Sequence, residues 1–207
     1  MKKLLLSLIA VSALAFSTQA QTEKGNLVVG GTVNFNSTKP DGASKSSTAF
    51  AILPSVGYFL ADNIAIGTAI GYQSSKYYSN VNSTTIATNK SDAFVISPFV
   101  RGYKGVNDQF KFFGQLSVPM SFGKDKVGDA NGDNMVKTGS INTIGIALSP
   151  GVAFFPSKKF GIELSVQGIS YNDYKNENAN GEKVGGRKEF NIGANFFSPN
   201  LGVQFYF

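Results

Sequence analysis

The chain has 207 residues, with 19 Lys and Arg against 13 Asp and Glu, and contains no Cys, His or Trp. Without cysteine, an exported protein cannot be held together by disulfides and must rely on a core or on a closed barrel. Without histidine, it lacks the side chain that most often acts as a general base near neutral pH.

The first 20 residues have the pattern of a secretory signal peptide. Lys2 and Lys3 precede a largely apolar stretch of 13 residues, and Ser-Thr-Gln-Ala at 17–20 offers small residues around a cut after Ala20. The apolar stretch is too short for an anchor helix, which needs about 20 residues. Because there is no Cys, no lipoprotein cleavage site exists. We therefore expect a cleaved signal peptide at 1–20 and one domain at 21–207.

The remaining 187 residues contain eight segments in which large apolar residues alternate with small or polar ones. Such a period of two is typical of β-strands that have one apolar face. No segment approaches the 18 apolar residues that would indicate a transmembrane helix. The predicted strands are 26–37, 48–60, 64–75, 92–103, 109–122, 140–154, 160–171 and 190–207.

The predicted connections alternate between short and long. The short ones are 61–63, 104–108 and 155–159, and the long polar ones are 38–47, 76–91, 123–139 and 172–189. This asymmetry is typical of outer-membrane barrels, whose long loops lie outside the cell. The chain is thus predicted to be all-β, an eight-stranded antiparallel up-and-down transmembrane β-barrel.

A proline repeat supports the count of strands. Prolines at 54, 98, 150 and 199 recur at spacings of 44, 52 and 49 residues, one in each even-numbered strand. One repeat per hairpin gives four hairpins. Since proline lacks an N–H and a closed barrel has no free edge, we expect bulges at these positions, or carbonyls satisfied by water or side chains.

The alternation also indicates which face meets the membrane. In the third strand, Ile64, Ile66 and Ile70 alternate with Gly67 and Gly71, and few charged residues fall well inside any strand. A water-facing outer surface would need those charges, so the large apolar face is expected to face lipid. Aromatic residues near the strand ends predict girdles at both interfaces, among them Tyr58, Phe59, Tyr72, Tyr77, Tyr78, Phe110, Phe112, Phe154, Phe155, Tyr171 and Tyr174.

The last strand ends on an aromatic residue. Its two faces are Leu201, Val203, Phe205 and Phe207 on one side and Gly202, Gln204 and Tyr206 on the other. This ending resembles the terminal-Phe signal by which bacterial outer-membrane barrels are recognised for insertion. The resemblance implies an assembly signal at Phe205, Tyr206 and Phe207, read by the barrel-assembly machinery.

The whole mature chain resembles the small, eight-stranded outer-membrane barrels of the OmpA, OmpX and OmpW type. Its start at Gln21 and its Ser-Pro strands are similar to members of that class from Bacteroidetes. The resemblance implies localisation in the bacterial outer membrane. Fold alone does not fix function.

Three charged residues near short turns occupy strand positions whose side chains point into the barrel according to the alternation: Arg101, Lys111 and Glu163. Because buried charges are costly unless paired, we predict that they form an ion-pair network across the lumen on the periplasmic side. A proton or ion path is the functional alternative, and Lys111 could instead extend its ammonium into the periplasm. Eight strands leave room for little more than side chains, which favours the structural interpretation.

The sequence does not favour an enzyme, and no catalytic, cofactor-binding or metal-binding residue is predicted. Barrels of this size that act as lipid A acyltransferases or deacylases need a base beside their hydroxyl nucleophile, and this chain has no His. Oxygen-bearing residues at 129, 131 and 133 resemble the start of a calcium loop, but Asn134 and Ser140 stand where Gly and Glu are needed. A turn stabilised by Asp side chains is the better interpretation.

The long loops carry most of the positive charge. Contact with outer-membrane lipid and lipopolysaccharide is therefore expected, whereas nucleic-acid binding is not, because the basic residues are dispersed and the compartment is wrong. The predicted function is that of a monomeric, non-enzymatic barrel with a structural or surface-interaction role through its loops. The alternative is a narrow porin-like conduit for small or hydrophobic solutes, suggested by the small inward residues Gly67, Ala69, Gly71, Gly145 and Ala147.

Overall fold

A computed structural model describes residues 21–42, 45–80, 86–193 and 199–207, and the predicted signal peptide lies outside these residues. None of these residues belongs to a helix that could span a membrane. The described strands are β1 Leu27–Thr38, β2 Ser47–Ala61, β3 Ile64–Asn80, β4 Ile86–Gly105, β5 Phe110–Ser117, β6 Met120–Gly128, β7 Val136–Ser157, β8 Phe160–Ser165, β9 Ile169–Asn178, β10 Lys183–Ile192 and β11 Asn200–Tyr206.

These strands form the eight staves of one antiparallel ring, a stave being one complete pass of the sheet. Strands β5 and β6 make up one stave, β8 and β9 another, and β10 and β11 the last. Each stave pairs with its neighbours along the chain, and β11 pairs with β1 to close the ring. The predicted eight-stranded antiparallel barrel is confirmed.

The closing seam joins the two ends of the domain. Strand β11 pairs with β1 from Val28 opposite Tyr206 to Val33 opposite Leu201. One residue further on, Leu27 and Phe207 exchange two backbone hydrogen bonds, each 2.8 Å between N and O. The end of the last strand is therefore part of the barrel wall.

The strands extend beyond the ends that the sequence predicted. Residues 76–91 were predicted as a loop, yet β3 and β4 remain paired from Lys76 opposite Lys90 to Asn80 opposite Ile86. Strands β6 and β7 likewise extend into 123–139, and β9 and β10 into 172–189. The backbone ladder does not require apolar side chains, so polar residues continue it beyond the apolar band that the alternation had marked.

Three of the four repeat prolines, at 54, 98 and 150, pair normally on one side and face an interruption on the other, whereas Pro199 stands just before β11 begins. Pro54 and Pro98 lie opposite Gly31 and Thr68, and the ladder on their other side skips pairs without a change of register. At Pro150 the register shifts by one residue. On β7, two residues separate Leu148 from Gly151, whereas three residues separate their partners Ile169 and Ser165, so the partner stave has one extra residue, which is a bulge. A bulge thus occurs at one proline, whereas plain interruptions accommodate the other two.

The two faces of the wall are as the alternation predicted. On β11, Leu201 and Phe205 have 52% and 47% of their surface exposed, whereas Gln204 and Tyr206 have 1% and 2%. The same contrast of large, exposed apolar side chains with small or buried ones recurs around the ring. So much apolar surface would be unfavourable in water, and lipid is the solvent it suits.

Two of the residues predicted for the aromatic girdles lie inside the barrel instead. Phe59 and Phe155 are fully buried and belong to the core, while their chain neighbours Tyr58 and Phe154 lie on the other face. Adjacent strand residues must point to opposite faces, so only one of each pair could reach the lipid interface. Phe154 instead stacks on Phe110 of β5, with ring centroids 4.8 Å apart.

The orientation of the barrel can be tested by single Cys substitutions, since the native chain has no Cys. We expect Asp41→Cys and Asn131→Cys, in long connections, to react with an impermeant maleimide on intact cells. Asp108→Cys, in a short turn, should react only after the outer membrane is opened. Labelling of the Asp108 variant alone on intact cells would show that the orientation is inverted.

Candidate functional site

The barrel lumen on the side of the short turns contains the predicted charged residues. Arg101 projects inward from β4, and Glu163 projects inward from β8 on the opposite side of the ring. Glu163 stands opposite Gly202 of β11 and Ala153 of β7. Glycine has no side chain and alanine only a methyl group, so both leave room for the glutamate. Local alternation thus aims the two charges at each other.

Arg101 and Glu163 form a buried ion pair. The Nη1 atom of Arg101 lies 2.9 Å from Oε1 and 2.8 Å from Oε2 of Glu163. The side chains are 9% and 4% exposed. At this depth neither charge has enough water around it, so each depends on the other and on its hydrogen bonds.

Polar neighbours saturate both members of the pair. Glu163 accepts hydrogen bonds from the hydroxyl groups of Tyr103 and Tyr206 at 3.1 and 3.2 Å and from Nε2 of Gln204 at 3.2 Å. Gln115 Oε1 accepts from Nε and Nη2 of Arg101 at 2.9 and 2.6 Å. A buried ion pair is tolerated when its remaining donors and acceptors are satisfied in this way.

Aromatic rings fill the space around the pair. The guanidinium of Arg101 lies 4.7 Å from the ring centroid of Phe113 and 5.3 Å from that of Phe99, both within cation–π range. The rings of Phe59, Phe155 and Tyr206 pack together next to it, with centroid separations of 5.3 to 6.3 Å. We call this assembly the lumen plug: Arg101, Glu163, Gln115, Gln204, Phe59, Tyr103, Phe113, Phe155 and Tyr206.

Small inward residues receive these rings. A Cβ atom added to Gly67 would stand 2.6 Å from Cζ of Phe99, and one added to Gly151 would meet the ring of Phe113 even more closely. Gly67 was one of the small residues that suggested an open conduit. In the folded chain, a ring from the neighbouring strand occupies the space that it leaves.

Lys111 does not join the ion-pair network, and this part of the prediction was wrong. Its ammonium donates to Thr22 Oγ1 at 2.5 Å and to Asn63 Oδ1 at 3.4 Å. Arg101 pairs with Gln115, and Lys111 is four residues from Gln115 toward the short turn. Lys111 therefore lies nearer the end of the barrel and contacts the N-terminal segment instead of Glu163. The alternation of a strand determines whether a side chain points into the lumen, but not its level along the barrel axis relative to residues of other strands.

The N-terminal segment covers the end of the barrel on the short-turn side, an arrangement that no pattern in the sequence predicts. Gln21 and Thr22 are buried, and Thr22 Oγ1 donates to Asn63 Oδ1 at 2.6 Å. The backbone also engages the turn, since Asn63 N donates to Thr22 O at 2.7 Å. A polar segment of six residues carries no alternation that could have revealed this contact.

The connection between β6 and β7 forms the turn that the sequence favoured over a calcium loop. Asp129 Oδ1 accepts backbone N–H groups of Asn131 and Asp133 at 3.0 and 2.9 Å. These bonds, that of Asp133 foremost, hold the pKa of the Asp129 carboxyl below its ordinary value. In the part of the chain that the structure describes, no group of acidic residues is arranged to hold a metal ion.

The residues of the proposed assembly signal occupy the seam. Phe205 faces outward, with its ring centroid 5.4 Å from that of Phe160, while Tyr206 joins the lumen plug. Phe207 completes the backbone pairing with Leu27. The signalling role of these residues stays a prediction.

Comparison with known proteins places this architecture in context. The family model described as "Outer membrane protein beta-barrel domain" matches residues 6–205. No curated protein matches the chain.

Solved structures give weaker similarities. Neisserial surface protein A is 16% identical over 89% of this chain and 98% of its own, with a TM-score of 0.48. Ail of Yersinia pestis, crystallised with the heparin analogue sucrose octasulfate, is 14% identical over 89% and 99%, with a TM-score of 0.46. OprG of Pseudomonas aeruginosa is 12% identical over 91% and 99%, with a TM-score of 0.48.

Proposed function

This chain belongs to the outer-membrane protein β-barrel domain family, and we propose that it is a closed, non-enzymatic barrel that acts at the cell surface through its extracellular hairpins. Its location is the bacterial outer membrane. The observation that carries the proposal is the lumen plug, in which a saturated ion pair and packed rings occupy the lumen. A solute would have to displace charge-paired, hydrogen-bonded side chains from a low-dielectric site, which is unfavourable.

The hairpins on the long-loop side support a role at the surface. Strand β3 continues for eight residues beyond Tyr72 and stays paired with β4 throughout, which corresponds to roughly 26 Å of strand. Paired strands have less conformational freedom than unpaired loops of the same length would have. A pair of polar strands that extends above the membrane is suited to contact with other molecules at low entropic cost.

The absence of histidine and cysteine from the sequence supports a non-enzymatic role. The lumen carboxylate Glu163 is saturated by Arg101 and by three neutral donors, so it has no free acceptor to work as a base. Hydroxyl nucleophiles in the barrel would have no activating partner of the usual kind.

Single-channel recording of the purified protein in planar bilayers tests whether the lumen is closed. We expect negligible conductance from the parent chain. Phe113→Ala, which removes a ring from the lumen plug, should give measurable steps. Phe112→Ala removes the lipid-facing ring next to it on β5 and should remain silent, so it is the matched control. Stepwise conductance from the parent, equal to that of the Phe113 variant, would favour the conduit instead.

A further inference from the structure

The outer surface of β3, β4 and β6 changes abruptly from apolar to basic. Tyr72, Phe94 and Phe122 lie directly opposite one another on these strands and are all exposed on the outward face. In an outer-membrane barrel, such an aromatic row marks the edge of the hydrocarbon band. The residues that follow it on the same face lie at the level of the lipid headgroups.

Three lysines surround one carboxylate just beyond this row. Asp92 and Lys90 are two and four residues beyond Phe94, and Lys124 and Lys126 are two and four residues beyond Phe122. Alternation keeps all four on the outward face. At roughly 3.3 Å per residue they lie about 7 to 13 Å from the aromatic row, which overlaps the headgroup layer. We call Lys90, Lys124, Lys126 and Asp92 the basic patch.

The basic patch has more positive charge than its own carboxylate can neutralise. Asp92 Oδ2 lies 3.1 Å from Lys90 Nζ and 3.5 Å from Lys126 Nζ, so two ammonium groups share one oxygen. Lys90 and Lys126 stand directly opposite each other, an arrangement of like charges that destabilises a sheet. Lys124, opposite Asp92, is exposed and has no hydrogen bond or ion pair in the described part of the chain.

Among the described residues, neighbouring carboxylates form no ion pair with the basic patch: Glu177, two strands from Lys124 in the same row, accepts a hydrogen bond from Ser140 Oγ instead. Asp125 lies between Lys124 and Lys126 in the chain, so its side chain points to the other face of the sheet. Asp92 is fixed in place by the hydroxyl groups of Tyr72 and Ser74, at 2.5 and 2.8 Å. Lys76 stands opposite Lys90 on β3 and is a further positive charge. Its ammonium lies over the ring of Tyr78, which is neutral and does not compensate that charge.

We propose that the basic patch binds the phosphate group of a phosphorylated lipid in the outer leaflet. Lysine ammonium groups are strong donors to phosphate oxygens; two of them meet at Asp92, and Lys124 stands on the strand directly opposite that residue, all at headgroup height. An anion from the lipid would also relieve the repulsion between Lys90 and Lys126. The aromatic row below the patch offers a surface for the acyl chains of the same molecule. The site is on the outside of the wall and does not depend on whether the lumen is closed.

Native mass spectrometry of the full chain, refolded in detergent, tests this assignment with bisphosphorylated lipid A as the probe. The variant Lys90→Gln, Lys124→Gln, Lys126→Gln should lose binding by about tenfold or more, since even one charge-assisted contact can contribute up to roughly a factor of ten. The matched control Lys104→Gln, Lys158→Gln, Lys159→Gln removes the same charge at the opposite end of the barrel and should bind as the parent does. Folding of each variant is checked by heat-modifiable migration on a gel.

A single substitution, Lys124→Gln, removes no contact within the described protein and should still weaken binding several-fold. Lipid A stripped of its phosphates should bind the parent and the triple variant equally weakly. The proposal is overturned if the triple variant retains bisphosphorylated lipid A as the parent does, or if removing the phosphates has no effect on the parent. Displacement of the lipid by equimolar inorganic phosphate would also overturn it, because the patch would then be a site for free anions.

Discussion

Glu163→Gln is expected to lower the free energy of unfolding by about 3–5 kcal/mol, because it leaves the guanidinium of Arg101 buried without its counter-charge. The pair is inside the barrel, with the side chains 9% and 4% exposed. Glutamine has nearly the shape of glutamate, so the loss reports the charge more than the packing. Equilibrium unfolding in urea, with the protein in detergent, measures the change.

A matched control uses a carboxylate of the same kind at the surface. Glu189 Oε2 lies 3.3 Å from Arg187 Nε, and the two side chains are well exposed. Glu189→Gln should therefore cost less than about 1 kcal/mol, as exposed ion pairs do. Equal losses from Glu163→Gln and Glu189→Gln would contradict the view that burial makes the lumen pair important.

A double-mutant cycle tests whether the two lumen charges depend on each other. Arg101→Met should be costly alone, because it leaves the carboxylate of Glu163 buried with neutral donors only. Combined with Glu163→Gln, it should cost less than the sum of the two single changes. Strictly additive losses would mean that the contact at 2.8 Å carries no coupling.

Deletion of Phe207 is expected to reduce the amount of protein in the outer membrane sharply, while the same variant still folds in detergent. Burial of a lipid-facing Phe contributes on the order of 2 kcal/mol, which a barrel can lose and survive. The larger effect would be on assembly in cells, if the terminal aromatic is the insertion signal that its resemblance implies. Outer-membrane fractions are compared by immunoblot, and refolding is followed by heat-modifiable migration.

The structure allows the ring of Phe207 to be separated from its backbone. Leu27 and Phe207 exchange two backbone hydrogen bonds, and Phe207→Ser keeps both while removing the aromatic group. Phe207→Tyr is the conservative control and should reach the membrane as the parent does. If Phe207→Ser were as abundant as the parent while the deletion was depleted, closure of the seam would matter and the ring would not.

The sequence by itself was sufficient for the architecture. Alternation of large apolar with small residues depends only on the geometry of a strand, so it marked the eight staves and the face that meets lipid. It also placed Arg101 and Glu163 inside the lumen, since parity alone decides the side of the wall. Neither inference requires knowledge of which residues of other strands each residue contacts.

Several features were decided only when the ring closed. The partner of Lys111 and the contact of Thr22 with Asn63 both depend on how high each residue stands in the lumen. That height follows from the stagger of strands around the barrel, which no single strand encodes. The extension of β3 to Asn80 and of β4 back to Ile86 is likewise a property of the pair, because a backbone ladder persists as long as a partner strand lies alongside.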